Sequence, residues 1–280
     1  MDFGISTHLF HEQTLDREHL VHVAAQGFDT IEVFATRSHF DYRDDAAVSR
    51  LAEWLGDTRL ALHSIHAPIV EAMRGGQWVG SYSIASSDEA RRRAAVAEIE
   101  AALAVATRVP YRYLVVHVGM PSAEKVPPGD NQPAAATRSV EAIVEAASRV
   151  NVRVALEVIP NPLSAPATLV HLIEDQLEGL DVGICLDIGH ANLLGDVGEA
   201  FETISGHLWT THVHDNHGTR DEHLVPYAGS IDWDLAMMVS QKVGFDGVLM
   251  FEVANTGDPI DVLKRTAKAR ERLEKSLVVF

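Results

Sequence analysis

The sequence predicts a single (β/α)8 barrel, and three observations support this fold class. Short apolar runs rich in β-branched residues alternate eight times with longer segments of helical spacing along the 280 residues. No linker or low-complexity stretch interrupts the alternation. The rival fold, a doubly wound sheet that binds a dinucleotide, needs Gly-x-Gly-x-x-Gly after its first strand, whereas residues 7–11 read THLFH. Residues 1–280 are therefore expected to form one α/β domain, a TIM barrel.

Eight segments have the composition of strands that are buried on both faces. They are Phe3–Leu9, Thr30–Phe34, Ala61–His66, Tyr113–Val118, Arg153–Ile159, Val182–Ile188, Trp209–His214 and Gly247–Val253. Helical spacing predicts helices at Asp16–Ala25, Ala46–Leu55, a long segment after Ser86-Ser87-Asp88-Glu89, Ala134–Arg149, Pro166–Leu177, Val197–His207, Asp232–Val243 and Pro259–Lys275. The helices after Ser164-Ala165 and Gly257-Asp258 begin with proline, which is favoured in the first turn. Two long connections, Val70–Ser86 and Met120–Pro133, follow strand C-termini, the end of a barrel that carries its chemistry.

The composition restricts the kind of partner. The formal net charge is −17, which disfavours nucleic acid as a partner because non-specific binding to phosphates depends on Lys and Arg. The chain nevertheless has 15 histidines, and imidazole together with carboxylate is a common ligand combination for divalent metals. Its single cysteine, Cys185, excludes an internal disulfide. The start of the sequence lacks the basic region of a signal peptide, and the apolar segments carry charges, so we expect a cytoplasmic protein without a membrane partner. The sequence leaves open whether the protein forms a homo-oligomer.

Metal-capable side chains lie at the ends of six consecutive predicted strands. They are His66, His117, Glu157, Asp187 with His190, His212 with His214, and Glu252, and the loop after His214 adds Asp221 and His223. A single such histidine is more often a polar residue at a strand end than a ligand. Carboxylates within apolar strands are different, because a buried charge is costly unless it is paired or bound to a cation. Glu157, Asp187 and Glu252 at one barrel mouth would repel one another, and a divalent cation resolves this most simply.

These residues resemble the xylose-isomerase-like barrels, which include sugar and sugar-phosphate isomerases and epimerases and the endonuclease IV-type apurinic endonucleases. The resemblance extends from His66 to Glu252. It depends on the segments HAP, LEVIPNP, CLDIGHANLLG, HVHDNHGTRDEHL with the following GSIDW, and FEV. Together these segments are specific, although any one of them alone would be weak.

The isomerase and epimerase branch implies one divalent ion, Zn, Mn, Co or Mg, with four protein ligands. Those ligands would be Glu157, Asp187, His212 and Glu252. In this branch Glu157 and Glu252 would also move a proton between adjacent carbons of a sugar, keto-sugar or polyol, with or without a phosphate, through a metal-stabilised enediolate. His190 would contact a substrate oxygen.

The endonuclease branch implies three zinc ions with nine ligands, and the sequence supplies all of them. The outer sites would be His66, His117 and Glu157 on one side and His190, Asp221 and His223 on the other, around the central four ligands. Clustered ions suit hydrolysis of a phosphodiester. Against this alternative, residues 36–43 place aspartate beside arginine, and residues 120–133 contain one lysine. These loops therefore lack the cluster of basic side chains that would bind the phosphates of a DNA duplex. A small carbohydrate is therefore expected, with one to three ions; a dehydratase or lyase acting on a sugar-like acid is a further alternative.

Two substrate contacts are expected beyond the ligands. Trp78, in the stretch 75–80, is a candidate lid or sugar-stacking residue, and Arg220 is a candidate partner for a substrate phosphate or carboxylate, although a solvated loop arginine explains it equally well. His214 is expected either to orient a ligand or to be a core histidine. His8 and His11 are left unassigned. A non-catalytic barrel would need a structural metal, and structural sites are usually closed cages away from a cleft.

Overall fold

The computed structural model of the chain describes residues 1–74, 77–123 and 125–277. The strands are β1 (Asp2–Ser6), β2 (Thr30–Phe34), β3 (Ala61–His66), β4 (Ala72–Arg74), β5 (Gln77–Val79), β6 (Tyr113–His117), β7 (Arg153–Glu157), β8 (Val182–Asp187), β9 (Leu208–Val213) and β10 (Val248–Phe251). The α-helices are α1 (Arg17–Ala25), α2 (Asp45–Thr58), α3 (Glu89–Leu103), α4 (Pro133–Ser148), α5 (Pro166–His171), α6 (Ile188–Leu194), α7 (Val197–Ile204), α8 (Trp233–Lys242) and α9 (Pro259–Leu277). Shorter 3-10 turns span Thr7–Phe10 and Ala104–Thr107, and a π-helical turn spans Leu172–Gln176.

Eight parallel strands close into a barrel, which confirms the predicted fold class. The order around the barrel is β1, β2, β3, β6, β7, β8, β9 and β10, and β10 pairs back with β1. The apolar residues of the strands and of the inner helix faces form one large core between the barrel and its helices. Parallel strands joined by helices all end at the same mouth, so this topology brings the side chains at their C-termini together.

Most helices begin at an aspartate, which accounts for part of the acidic charge. Asp16, Asp44, Asp88, Asp196 and Asp232 each accept a hydrogen bond from a backbone N–H of the first turn. Such caps satisfy donors that have no partner inside the helix, and they also place a negative charge at the positive end of its dipole. Asp16, the first residue of the predicted helix Asp16–Ala25, is one of these caps.

Two predicted strands turn into a helix before the expected end, and four others, β6, β7, β9 and β10, end one or two residues earlier than predicted. Strand β1 stops at Ser6, whose hydroxyl accepts a hydrogen bond from the His8 N–H at 3.3 Å and so starts the 3-10 turn. Strand β8 stops at Asp187, which caps α6. The long connection after β3 contains the antiparallel hairpin β4–β5, which was not predicted, and residues 75 and 76 at its turn lie outside the described residues. None of the helices within the described ranges is long and apolar enough to cross a membrane.

Candidate metal centre at the barrel mouth

Four predicted ligands converge at the C-terminal ends of β7 to β10. Glu157, Asp187, His212 and Glu252 each offer one ligand atom, and these atoms all lie within 4.8 Å of one another. The four residues are 0 to 2% exposed. Strand register explains the convergence, because Asp187 of β8 pairs with His212 of β9, and Glu157 of β7 pairs with the residue two before Asp187. We call these four residues the central group.

Asp187 is held by the local chain as well as by the site. Its Oδ1 accepts a hydrogen bond from the His190 N–H at 2.7 Å, which starts α6. The Nε2 atom of His214 lies 2.9 and 3.1 Å from its two oxygens. Helix capping alone therefore does not explain this buried carboxylate.

A second group lies on one side of the central group and shares Glu157 with it. The Nε2 atoms of His66 and His117 each lie 3.1 Å from Glu157 Oε2. The Nδ1–H of His66 can donate to the carbonyl of Ala67 at 2.8 Å, which leaves Nε2 as the ligating nitrogen. This flanking group has the composition that was predicted for it.

A third group lies on the other side and is larger than predicted. Asp221 Oδ2 lies 3.0 Å from His190 Nε2 and 3.2 Å from His223 Nε2. His214 joins these residues, with its ring stacked on that of His223 at 3.9 Å between centroids. His214 thus belongs to the cluster of possible ligands as well as contacting Asp187.

The loop that carries Asp221 and His223 is fixed by buried polar contacts. Asp215 accepts hydrogen bonds from the Trp233 indole N–H at 2.9 Å and from the Ile231 N–H at 3.2 Å. Glycine is required where the loop meets α6, because a Cβ on Gly189 would lie 2.0 Å from the His214 ring. The short sequence segments around Asp187 and Asp215 therefore position the third group.

Burial and charge oppose each other at this mouth. Burial raises the pKa of Glu157, but the neighbouring imidazoles of His117 and His212 outweigh it, and the pKa lies well below its usual value. Burial lowers the pKa of His190, but Asp187 and Asp221 raise it well above its usual value. Carboxylates here thus favour the ionised form, and their positive partners are imidazoles.

The residues of the central group fit a divalent ion. Glu252 Oε1 is buried and has no hydrogen-bond partner within the described part of the chain, which is costly for a carboxylate oxygen. A cation among these carboxylates and the His212 nitrogen would offset the charge of the Glu252 carboxylate. Three carboxylates and one imidazole suit Zn, Mn, Co and Mg alike.

Comparison with known proteins agrees with this architecture. The family model described as xylose isomerase-like TIM barrel matches residues 20–276. The chain belongs to this family. It is similar to the uncharacterized protein MJ1311 of Methanocaldococcus jannaschii, with 27% identity over 293 residues that cover 100% of this chain and 90% of that protein.

Solved structures of the family share the fold over their whole length. A D-tagatose 3-epimerase-like protein matches with a TM-score of 0.79 and 24% identity, covering 100% of this chain and 98% of the other. An L-ribulose 3-epimerase matches at 0.78 and 20%, covering 99% and 95%. The IOLI protein with a binding zinc atom matches at 0.76 and 16%, covering 99% and 98%. At these identities the likeness establishes the fold.

The two expected substrate contacts lie in different surroundings. Trp78 is 39% exposed on β5, and its ring stacks on that of His11 at 5.3 Å. His11 stacks in turn on His8 at 4.4 Å, and His8 lies 4.9 Å from His223. A row of rings therefore connects Trp78 to the third group. Arg220 is exposed on the loop between β9 and α8, and its role stays a prediction.

Sequence reasoning assigned no role to three residues in or beneath the mouth, although His8 and His11 were expected to be able to reach it. His8 and His11 follow β1 in the 3-10 turn, whose direction the sequence does not reveal. Glu32, in β2, is fully buried, and its Oε2 lies 3.1 Å from His212 Nε2. A signal for Glu32 was available, because it is a carboxylate in an apolar strand, the same pattern that identified Glu157.

Proposed function

We propose that the protein is a divalent-metal-dependent isomerase or epimerase that acts on a sugar, keto-sugar or polyol, with or without a phosphate, by proton transfer between adjacent carbons. The observation that carries this proposal is the pair of buried glutamates, Glu157 and Glu252, which belong to one mixed nitrogen and oxygen group of possible ligands at the barrel mouth. The sugar epimerases among the structures with the same fold support the class of substrate.

The central group, Glu157, Asp187, His212 and Glu252, would hold the ion. A divalent ion there would polarise the carbonyl and hydroxyl oxygens of a bound sugar and offset the negative charge that develops when a C–H proton leaves. Both glutamates would thus lie beside the reacting carbons.

The contacts of the two glutamates suggest different roles for them in proton transfer. Glu157 Oε2 contacts His66 and His117, and its Oε1 lies 3.2 Å from His212 Nδ1. Glu252 keeps Oε1 without a protein partner. A carboxylate oxygen that is free of hydrogen bonds from the protein can accept a proton from a substrate carbon. We therefore assign Glu252 as the first base and Glu157 as the carboxylate that handles the proton on the second carbon.

Other residues of the mouth would bind and orient the substrate. His190, buried beside Glu157 and Asp221, would donate a hydrogen bond to a substrate oxygen. The exposed face of Trp78 would stack on the apolar face of the sugar and exclude water. Arg220 would pair with a phosphate or carboxylate where the substrate has one.

The proposal is tested by metal analysis followed by a sugar panel. Purified protein is stripped with a chelator, reloaded with Zn, Mn, Co or Mg, and incubated with ketohexoses, ketopentoses and their phosphates, with NMR detection of new epimers or aldose–ketose products. We expect at least one ion per chain and turnover that is lost on stripping and regained on reloading. A metal-replete protein that is inert on the whole panel would favour a binding function instead.

One observation favours a second candidate, a zinc-dependent phosphodiester hydrolase. This candidate is supported by the positions of the nine residues predicted as ligands, which lie in three groups that could each hold an ion, because single-metal chemistry has no need of the outer two groups. Clustered ions clamp the attacking and leaving oxygens of a phosphodiester. More than two zinc ions per chain, together with cleavage of a duplex that contains an abasic site, would support this candidate over the isomerase.

A further inference from the structure

Glu32 lies beneath the central group, and the proposed reaction does not use it. Strand alternation places its neighbours Ile31 and Val33 in the apolar core outside the barrel, so Glu32 points into the barrel interior. A register shift after Ile31 brings Ser64 of β3 opposite Glu32. The Ser64 hydroxyl donates a hydrogen bond to Glu32 Oε2 at 2.8 Å. The local backbone therefore holds this carboxylate in one place.

The two ring nitrogens of His212 face different partners. Nε2 lies 3.1 Å from Glu32 Oε2, on the inner side of the barrel. Nδ1 lies 3.2 Å from Glu157 Oε1, 3.5 Å from Glu252 Oε2 and 3.9 Å from Asp187 Oδ2. Only Nδ1 therefore points at the other three members of the central group.

A ligating imidazole must present an unprotonated nitrogen, and a neutral ring has a single N–H. If Nδ1 is the ligand, the proton has to be on Nε2, where Glu32 can accept it. We propose that Glu32 is a positioning residue that fixes His212 in the Nε2–H form and fixes its ring orientation, so that the Nδ1 lone pair faces the ion. This inference rests on the proposed metal site.

Packing does not explain why a glutamate occupies position 32. Its Oε1 is buried without a hydrogen-bond partner within the described ranges, and its ion pair there is with His212. Nearby interior positions of the barrel hold Val115, Ala155 and Cys185, which form a small apolar cluster. A buried carboxylate costs more than an apolar side chain of similar size unless it holds a specific partner. The partner shown here is the imidazole that faces the metal ligands.

The test measures zinc affinity of the full-length protein without reference to activity. Wild type and Glu32→Gln are stripped of metal, and Zn²⁺ is titrated in competition with a chromophoric chelator. Carboxylates that orient a metal-bound histidine typically contribute 10- to 100-fold in metal affinity, so we expect a loss of about that size. The matched control is Glu98→Gln, which changes a half-buried glutamate that accepts from Tyr42 on the outside of the barrel, and it should bind zinc as the wild type does.

A second measurement separates positioning from structural support. Glu32 is paired with His212 in the metal-free protein, so Glu32→Gln is expected to lower the melting temperature of that state whichever role Glu32 has. In zinc-loaded protein with ¹⁵N-labelled histidine, wild type should show the Nε2–H signal of His212. Should Glu32→Gln fail to fold, Ser64→Ala, which removes only the hydrogen bond to Glu32, should weaken zinc binding a few-fold.

Each outcome decides the inference. Equal zinc affinity in wild type and Glu32→Gln overturns it, as does unchanged affinity in Ser64→Ala where that variant has to be used. An Nδ1–H signal of His212 in zinc-loaded wild type also overturns it, as does an equal loss of zinc affinity in Glu98→Gln. If the wild type binds no zinc, the proposed function and this inference both fail. If wild type and variant bind zinc equally well, only this inference fails.

Discussion

Replacing Glu252 by glutamine keeps the size of the side chain and removes its charge and its basicity. In the metal-free protein, Glu252 belongs to a group whose ligand atoms lie within 4.8 Å of one another, together with Glu157 and Asp187. Two unit charges at that distance repel by roughly 3 kcal/mol at an effective dielectric constant of about 20. The imidazoles of His212 and His223, at 3.5 and 3.7 Å, offset part of this repulsion. We therefore expect metal-free Glu252→Gln to be at least as stable as the metal-free wild type.

The same change should remove most of the catalytic activity. A positioned general base contributes on the order of 10² to 10⁴ in rate, and the amide of glutamine cannot replace it. The assay is exchange of a substrate C–H for solvent deuterium, followed by proton NMR with metal-loaded protein, and metal content is measured on the same samples. Glu98→Gln is the matched control and should keep full exchange. Full exchange by fully loaded Glu252→Gln would refute the assignment of Glu252 as the base.

Three further predictions follow from the same contacts. In Gly189→Ala, the new Cβ would lie 2.0 Å from His214, so urea denaturation should show a loss of about 1–3 kcal/mol in the free energy of unfolding, and wild-type stability would contradict the packing described. Burial lowers the pKa of His39 to about 4. Between pH 6.5 and 4 the unfolded chain therefore binds more protons than the folded one, and this group lowers the free energy of unfolding by about 3 kcal/mol as the pH is lowered. The stability gap between wild type and His39→Gln should therefore narrow toward pH 4, and a gap that stays constant down to pH 4 would contradict this account of His39. Trp78→Ala should raise KM several-fold with little change in kcat, because the proposed role of the ring is to bind the sugar and not to move a proton; an unchanged KM would remove Trp78 from the substrate site.

The barrel could be predicted because the strand-like and the helix-like patterns of apolar residues occupy separate stretches of the sequence. Near-continuous apolar runs such as Val182–Asp187 fit strands buried on both faces, and the segments between them repeat apolar residues at helical intervals. The candidate ligands followed from the same topology, since polar residues at the ends of parallel strands meet at one mouth. Buried carboxylates such as Glu157 then distinguished candidate ligands from ordinary strand ends.

What the sequence did not reveal depends on local turns and on contacts between distant strands. Residues 7–10 have the composition of a strand, but the Ser6 hydroxyl caps a 3-10 turn there, and this turn directs His8 and His11 into the mouth. Asp187 acts as both a helix cap and a member of the central group, so the predicted strand ran one residue too far. Glu32 shows the pattern of a carboxylate in an apolar strand, but its pairing with His212, 180 residues away in the sequence, could not be predicted from that pattern.

Solvent deuterium exchange tests the central claim most directly. The protein would be loaded with a divalent ion in D₂O and mixed with a ketohexose such as D-tagatose or D-fructose, and the carbon next to the carbonyl would be followed by NMR. The account predicts that deuterium enters this position, that the epimer accumulates, and that both processes stop when the metal is removed. Metal-loaded protein that exchanges no C–H proton of any keto-sugar tested would contradict it.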